Sequence, residues 1–211
     1  MAYINIHSHY LPKEEPSGSI TCLNWIIGNE KPDYGFLSAG IHPWFIEEEG
    51  EAQLALLEKE ARSSEIRMIG EAGLDKMRAT PLEVQMRILR AQIHLSENLH
   101  KPLILHCVKA WAELITLHKE LKPAQPWIIH GFRGKKELAA QLLQQGFYLS
   151  FGERFSQEAL QAAWPDHLFV ETDESLFPIS EVYRSIASAL QAPAELFSSQ
   201  IKKNYQSLFS L

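Results

Sequence analysis

His7 and His9 lie two residues apart, a spacing that suits metal binding. They end the segment Ile4-Asn5-Ile6-His7-Ser8-His9, in which apolar and polar residues alternate. Such alternation predicts a strand, and residues two apart in a strand face the same side. The two imidazoles would then be close enough to bind one metal ion. In isolation, two ordinary surface histidines are an equally good interpretation of this pair.

Five further polar residues follow short β-rich runs, as His7 and His9 do. They are His42, Glu71, His106, His130 and Asp173. Where parallel strands form a barrel, side chains at the carboxyl ends of the strands build the active site. Histidines scattered at random would rarely all fall in such places. We therefore expect these residues to form one functional site with His7 and His9.

The elements that must position these residues alternate between strand and helix patterns. The predicted strands are Ile4–His7, Thr21–Ile27, Phe36–Ile41, Ile66–Ile69, Leu103–His106, Trp127–His130, Phe147–Phe151 and Leu168–Glu171. The predicted helices are Glu47–Ser63, Pro81–Leu99, Trp111–Leu121, Lys135–Gln145, Gln157–Ala163, Ile179–Leu190 and Ala194–Phe209. Alternating elements predict parallel strands with crossover helices.

Eight such strands predict an α/β fold, a (β/α)₈ TIM-type barrel, in a single domain over residues 1–211. The segments between the first and second strands, and between the second and third, are too short for a crossover helix. We therefore expect a distorted barrel that lacks two outer helices.

Composition excludes several other classes of protein. The chain has 211 residues and a formal net charge of −6, which argues against a protein that coats nucleic acid by charge alone. It contains no apolar run long enough to span a membrane, so we expect no membrane association. Two cysteines without a CxxC motif favour a reducing, cytoplasmic location.

The loops at the predicted catalytic end are rich in basic residues. They contain Lys76, Arg78, Lys109, Arg133, Lys135, Lys136 and Arg154. We interpret these as a positive rim for an anionic substrate, although solvated loop charges are the alternative. Trp44, Phe45 and Phe132 could stack a base, but packing is the better interpretation of each one alone. We assign His94, His100, His118 and His167 to the surface or to packing.

The strand-end residues lie in motifs that are similar to those of a known family. The segments HSH, GIHP, GEAGLD, PLILH, IIHGF, ETD and NYQSLF occur in that order between Ile4 and Phe209. In this respect the chain resembles the TatD-type deoxyribonucleases, a family of metal-dependent hydrolases. GEAGLD and ETD are the most specific of these matches.

The resemblance implies a site with two divalent metal ions. His7, His9 and Asp173 would hold one ion, His106 and His130 would hold the second, and Glu71 would bridge both. His42 would contact a phosphate, and we add Lys76, Lys109 and Arg133 as substrate-binding residues. The identity of the metal stays open among Mg²⁺, Mn²⁺ and Zn²⁺. Four imidazoles favour the softer ions of these three.

The chain departs from the family pattern at three places. Asn5 stands where the family usually has Asp, Glu174-Ser175 follows ETD in place of a small residue and proline, and Cys107-Val108-Lys109 replaces the usual Arg. These changes affect the loops that face the substrate more than they affect the ligands. The activity class is therefore better supported than DNA as the substrate.

Three functions remain open at this point. The first is a phosphodiesterase that acts as a monomer on single-stranded DNA and uses two ions to activate water. Its catalytic residues would be Glu71 and Asp173, with Asp173 as the proton acceptor. The second is an amidohydrolase-type enzyme for a small ester, lactone or amide. The third is a non-catalytic scaffold that retains the fold.

Overall fold

The computed structural model describes residues 1–209 other than Lys13 and Glu15. It contains eight strands, which lie in chain order in one sheet. They are β1 (Ile4–Ser8), β2 (Ile20–Ile26), β3 (Leu37–Gly40), β4 (Ile66–Asp75), β5 (Leu103–Val108), β6 (Trp127–Ile129), β7 (Tyr148–Phe151) and β8 (Leu168–Val170). The strand pairs β1–β2, β3–β4, β4–β5, β6–β7 and β7–β8 are parallel.

Seven α-helices accompany the strands. They are α1 (Glu51–Glu60), α2 (Leu82–Leu99), α3 (Trp111–Leu121), α4 (Lys136–Leu143), α5 (Gln157–Ala163), α6 (Ile179–Ala189) and α7 (Ala194–Ser207). Within the described residues, no helix joins β1 to β2 or β2 to β3, as the short spacings predicted. None of the helices has the length and apolar character needed to cross a membrane.

The chain divides into two compact units, one formed by residues 1–23 with 128–211 and the other by residues 24–127. In unit 1 the last strand returns to the first. Ser8 forms a parallel bridge with Asp173, and the His7 carbonyl accepts hydrogen bonds from the backbone N–H groups of Thr172 and Asp173. Eight strands in chain order, with β8 next to β1, are the topology of the predicted (β/α)₈ barrel, which is confirmed.

A chain of neutral hydrogen bonds reinforces this junction in unit 1. The Asn5 amide donates to the Thr172 hydroxyl at 2.9 Å, and its carbonyl oxygen accepts from the Thr172 N–H at 3.0 Å. The Thr172 hydroxyl then donates to Ser8 Oγ at 2.9 Å. A carboxylate at position 5 could not donate the first of these bonds. Asn5 therefore suits this chain because it both donates to Thr172 and accepts from it.

Three buried glutamines support the strand ends of unit 2. Gln92 accepts from the Ile41 N–H at 2.7 Å and donates to the Ile41 carbonyl at 3.1 Å. Gln85 pairs in the same way with Asp75, at 2.7 and 3.0 Å. Gln53 donates to the carbonyls of Ile27 and Phe45. Each side-chain amide thus satisfies backbone groups that would otherwise be buried without partners where the strands end.

Two elements differ most in length from the prediction. The helix predicted over 47–63 is shorter, because Glu48, Glu49 and Gly50 have positive φ angles and form a separate 3₁₀ turn before α1. Strand β4 is longer than predicted and continues from Ile69 to Asp75. Gly73 allows this extension, since a Cβ there would lie 1.9 Å from the His106 carbonyl oxygen.

Replacing Thr172 with Val should destabilise unit 1. The change keeps the shape of the side chain but leaves the buried Asn5 amide without its acceptor, which costs about 1–3 kcal/mol. Urea denaturation of metal-free protein would measure the free energy of unfolding. The exposed Thr116→Val is the matched control, and equal stabilities of the two variants would contradict the role of this hydrogen-bond chain.

Replacing Gln92 with Leu should destabilise unit 2. It removes both partners of the buried Ile41 peptide groups, so we expect the free energy of unfolding to fall by about 1–3 kcal/mol. Gln141→Leu, on the exposed face of α4, should change it by less than about 0.5 kcal/mol. A Gln92 variant as stable as the wild type in chemical denaturation would show that the backbone finds other partners.

Candidate metal centre

The first group of potential ligands in unit 1 contains His7, His9 and Asp173. The Nε2 atoms of His7 and His9 each lie 3.6 Å from Oδ1 of Asp173. The two imidazoles face the same carboxylate, as the two-residue spacing predicted, with His7 in β1 and His9 directly after its last residue. One ligand atom from each residue lies within 4.8 Å of the others, which suits a shared metal ion.

The backbone around Asp173 fixes the position of its carboxylate. Asp173 has a φ of 55°, a conformation that residues other than glycine rarely adopt. Its carbonyl accepts from the His9 N–H at 2.9 Å, and its own N–H donates to the His7 carbonyl at 3.1 Å. Hydrogen bonds between the backbones of β1 and the segment after β8 thus hold Asp173 in an uncommon conformation, which places its carboxylate next to both histidines.

A second group in unit 1 contains a residue to which the sequence analysis gave no role. Glu171 is fully buried, and its Oε1 lies 3.7 Å from His130 Nδ1 and accepts from the Gly131 N–H at 2.5 Å. Within the described residues, its Oε2 has no hydrogen-bond partner. His130, Glu171 and Asp173 together place three ligand atoms within 4.8 Å.

Unit 2 contains a third group, His42, Glu71 and His106, centred on Glu71. Oε1 of Glu71 lies 2.9 Å from His42 Nε2 and 3.2 Å from His106 Nδ1. The Glu71 N–H donates to Asn24 Oδ1 at 3.0 Å, which fixes the backbone from which the Glu71 side chain extends. His42, which we expected to contact a phosphate, is 4% exposed and lies against this carboxylate. Its placement favours metal binding or orientation of Glu71 over an open substrate contact.

Asp75 is the second acidic residue that the sequence analysis left without a role. Its Oδ2 lies 3.2 Å from His106 Nε2 and accepts from the Trp44 indole at 2.6 Å. Burial acts to raise the pKa of this carboxyl, but hydrogen bonds from the Met77 N–H, Trp44 and His106 outweigh it and lower the pKa. Asp75 therefore remains a carboxylate that orients the imidazole of His106 while the other ring nitrogen faces Glu71.

The predicted basic rim is only partly available for a substrate. Lys76 pairs with Glu113, and the Arg78 guanidinium lies 3.5 Å from the centre of the Trp44 ring. Lys109 and Arg133 are exposed, and neither forms an ion pair within the described residues. These two are the best placed of the predicted substrate-binding cations.

The aromatic residues divide in the same way. Trp44 and Phe45 are 39% and 47% exposed, so both are open to a ligand. Phe132 is 1% exposed and packs edge-on against Phe151 at 5.8 Å between ring centroids. The packing interpretation of Phe132 is therefore correct, because its ring belongs to the core of unit 1.

The histidines that we assigned to packing or to the surface lie apart from these groups. His118 packs edge-on against Trp127 at 4.9 Å, and burial lowers its pKa. His167 stacks on Tyr148 at 5.1 Å. His94 and His100 are exposed. In the part of the chain that the structure describes, no cluster of potential metal ligands includes any of the four.

Comparison with known protein sequences identifies the family. The family model described as TatD related DNase matches residues 20–210. A Buchnera aphidicola protein named as a metal-dependent hydrolase is 30% identical over 213 residues, covering 90% of this chain and 78% of that protein. The 3′-5′ ssDNA/RNA exonuclease TatD of Erwinia tasmaniensis is 31% identical over 158 residues, covering 70% of this chain and 61% of that protein.

Solved structures agree with the fold. The crystal structure of YJJV, a TatD homologue from Escherichia coli K12, matches with a TM-score of 0.81 at 20% identity and covers 99% of this chain and 98% of that chain. A TatD-family hydrolase from Entamoeba histolytica matches with a TM-score of 0.69 at 22% identity, covering 82% and 75% of the two chains. At these identities the likeness shows a shared fold.

The matched region spans about three fifths of the Erwinia tasmaniensis relative, and the same holds for the metal-dependent hydrolase YabD of Bacillus subtilis, of which 60% is covered at 30% identity. The family model nevertheless covers most of this chain. The chain belongs to the TatD-related DNase family.

Proposed function

We propose that this chain is a divalent-metal-dependent hydrolase that cleaves phosphodiester bonds in single-stranded DNA. The observation that carries the proposal is the clustering of imidazoles and carboxylates at the strand ends of each unit, with ligand atoms within 4.8 Å of one another. The names of relatives, which include metal-dependent hydrolases and 3′-5′ ssDNA/RNA exonucleases, support the same activity.

The donor set fits a divalent metal ion. Imidazole nitrogens combined with carboxylate oxygens suit Mn²⁺, Zn²⁺ and Fe²⁺, and the carboxylates also accept Mg²⁺. The buried Oε2 of Glu171, which lacks a hydrogen-bond partner within the described residues, is the kind of atom that a cation would satisfy. His7, His9 and Asp173 would hold one ion. The use of a second ion, held by His106 and His130 and bridged by Glu71, stays a prediction from the family resemblance.

A bound divalent ion supplies Lewis acidity and makes a nearby water easier to deprotonate. The side chains of this protein supply the rest. Asp173 would hold the ion together with His7 and His9, and its carboxylate would be placed to accept a proton from a water that the ion activates. Lys109 and Arg133 attract the phosphates from exposed loop positions. Phe45 offers a ring face to unpaired bases, as does the face of Trp44 that the Arg78 guanidinium does not cover.

Replacing His9 with Ala should weaken metal binding at least about tenfold, since it removes a ligand rather than a supporting contact. Titration of metal-free protein with Mn²⁺, followed by elemental analysis of the desalted protein, measures the affinity. His94→Ala removes an exposed imidazole from α2 and is the control. Wild-type affinity in the His9 variant would exclude His9 as a ligand.

Cleavage of end-labelled single-stranded DNA with Mg²⁺ or Mn²⁺ tests the activity. We expect the wild type to shorten the DNA, and Glu71→Ala and Asp173→Asn to lose at least about 100-fold in kcat/KM, because each removes a carboxylate from the site. His94→Ala should cleave like the wild type.

No cleavage by folded, metal-loaded wild type would exclude the DNase proposal. Turnover of p-nitrophenyl esters under the same conditions would then indicate a small-molecule hydrolase. Binding of metal without turnover of either substrate would indicate the non-catalytic alternative.

A further inference from the structure

A groove in unit 1 lies beside the segment that carries Asp173. Its volume is about 950 Å³, near the upper end of the roughly 300–1,000 Å³ typical of small-ligand pockets. Two stretches of chain form its walls, one around Tyr10 after β1 and the other around Phe177 before α6. None of the proposed catalytic or substrate-binding residues lines this groove.

The walls of the groove expose large apolar side chains. Tyr10 is 51% exposed, Phe177 is 46% exposed and Leu176 is 82% exposed. Scattered exposed apolar residues need no explanation, but several that line one concave surface usually mark a binding site. Tyr10 and Phe177 are aromatic, so each has a ring face on which a flat ring can stack.

Local hydrogen bonds fix the backbone that carries the aromatic residues. The Ser175 N–H donates to the Thr172 carbonyl at 2.9 Å, and the Phe177 N–H donates to Ser175 Oγ at 3.1 Å. On the other wall, the Tyr10 N–H donates to Ser8 Oγ at 3.3 Å. A surface held in place in this way binds a ligand with a smaller loss of conformational freedom.

The described residues that line the groove are, with one exception, uncharged. Glu14 is the one charged residue along it in the part of the chain that the structure describes, and the polar residues at its base, Asn5, Ser8 and Thr172, are uncharged. None of the described residues along the groove is a cation that would attract a phosphate. A nucleobase is flat, neutral and aromatic, and it stacks on side chains such as Tyr and Phe.

Two residues that line the groove are next to proposed metal ligands in the sequence. Ser8 separates His7 from His9 in sequence, Thr172 precedes Asp173, and both Ser8 and Thr172 line the groove. We infer that this groove binds an unpaired nucleobase of the strand being cleaved, with Tyr10 and Phe177 as the stacking residues. The inference rests on the proposed function and adds to it a requirement for bases that are free of a complementary strand.

Substrates that lack one base test the inference. A series of single-stranded oligonucleotides would carry a tetrahydrofuran abasic residue at successive positions from the 3′ end. We expect one position at which the missing base lowers kcat/KM of the wild type about tenfold, the loss expected for one stacked base. Phe177→Ala should lower kcat/KM on the intact strand by a similar factor, mainly through KM, and should show no further loss on that abasic strand.

A binding measurement without turnover gives a second readout. In EDTA, an oligonucleotide with 2-aminopurine at the sensitive position should lose fluorescence when it binds the wild type, since stacking quenches this base. Tyr10→Ala and Phe177→Ala should reduce the quenching. Leu196→Ala, which removes another exposed apolar side chain from unit 1 outside the groove, is the matched control and should behave like the wild type in both assays.

Cleavage of every abasic strand at the intact rate, with unchanged quenching in both aromatic variants, would overturn the base-binding groove and leave the DNase proposal standing. Absence of cleavage on all strands would instead contradict the DNase proposal, and fluorescence measurements with 2-aminopurine placed at each position in turn would still decide whether the groove binds bases. Concentration-dependent dimers that disappear in a Leu176→Asp variant, with no quenching, would show that a second copy of the chain covers the groove and would also overturn the inference.

Discussion

Burial of imidazole and carboxylate groups at the carboxyl ends of the strands is the constraint on which the rest of this structure depends. His7 and Glu171 are fully buried, and Glu71 is 3% exposed. Removing such groups from water costs free energy unless hydrogen bonds or a cation compensate for the loss. Many surrounding residues donate or accept hydrogen bonds that offset this cost. Others hold the imidazoles and carboxylates where a bound cation can offset it.

The two units meet this constraint with different side chains. In unit 1, the paired backbones of β1 and β8 hold Asp173 between the two histidines, and Asn5 and Thr172 complete the neutral contacts beneath them. In unit 2, Asp75 orients His106, while Gln85 and Gln92 satisfy the backbone on either side of the site. The substitution of Asn for the family's usual Asp at position 5 fits the first arrangement, because only the amide can donate to Thr172.

The sequence predicted the strand order and most helix bounds because the hydrophobic periodicity is regular. Helices α3 and α5 begin and end where the pattern predicted. The role of Asp75 was missed because strand β4 was expected to end at Ile69, before GEAGLD. Once β4 continues, Glu71, Gly73 and Asp75 occupy alternate positions on one side of the strand. The sequence pattern that identifies Asp75 was present, since the same two-residue spacing identified His7 and His9.

Glu171 was missed for a related reason. It was counted as the last strand residue, and Asp173 two residues later received the functional role, although alternation places both on the same side. For Phe132 the position after a strand left both stacking and packing open, since that position alone could not distinguish an exposed ring from a buried one. Burial depends on packing between segments distant in sequence, such as the contact with Phe151, and no local pattern records it.

Anomalous diffraction from crystals soaked in Mn²⁺ tests the central claim most directly, namely that the strand-end cluster is a metal centre. The account predicts an anomalous peak within bonding distance of His7, His9 and Asp173, and it predicts that this peak is lost in Asp173→Asn crystals. Soaked crystals with no peak near these residues, or with a peak only at surface carboxylates, would contradict it.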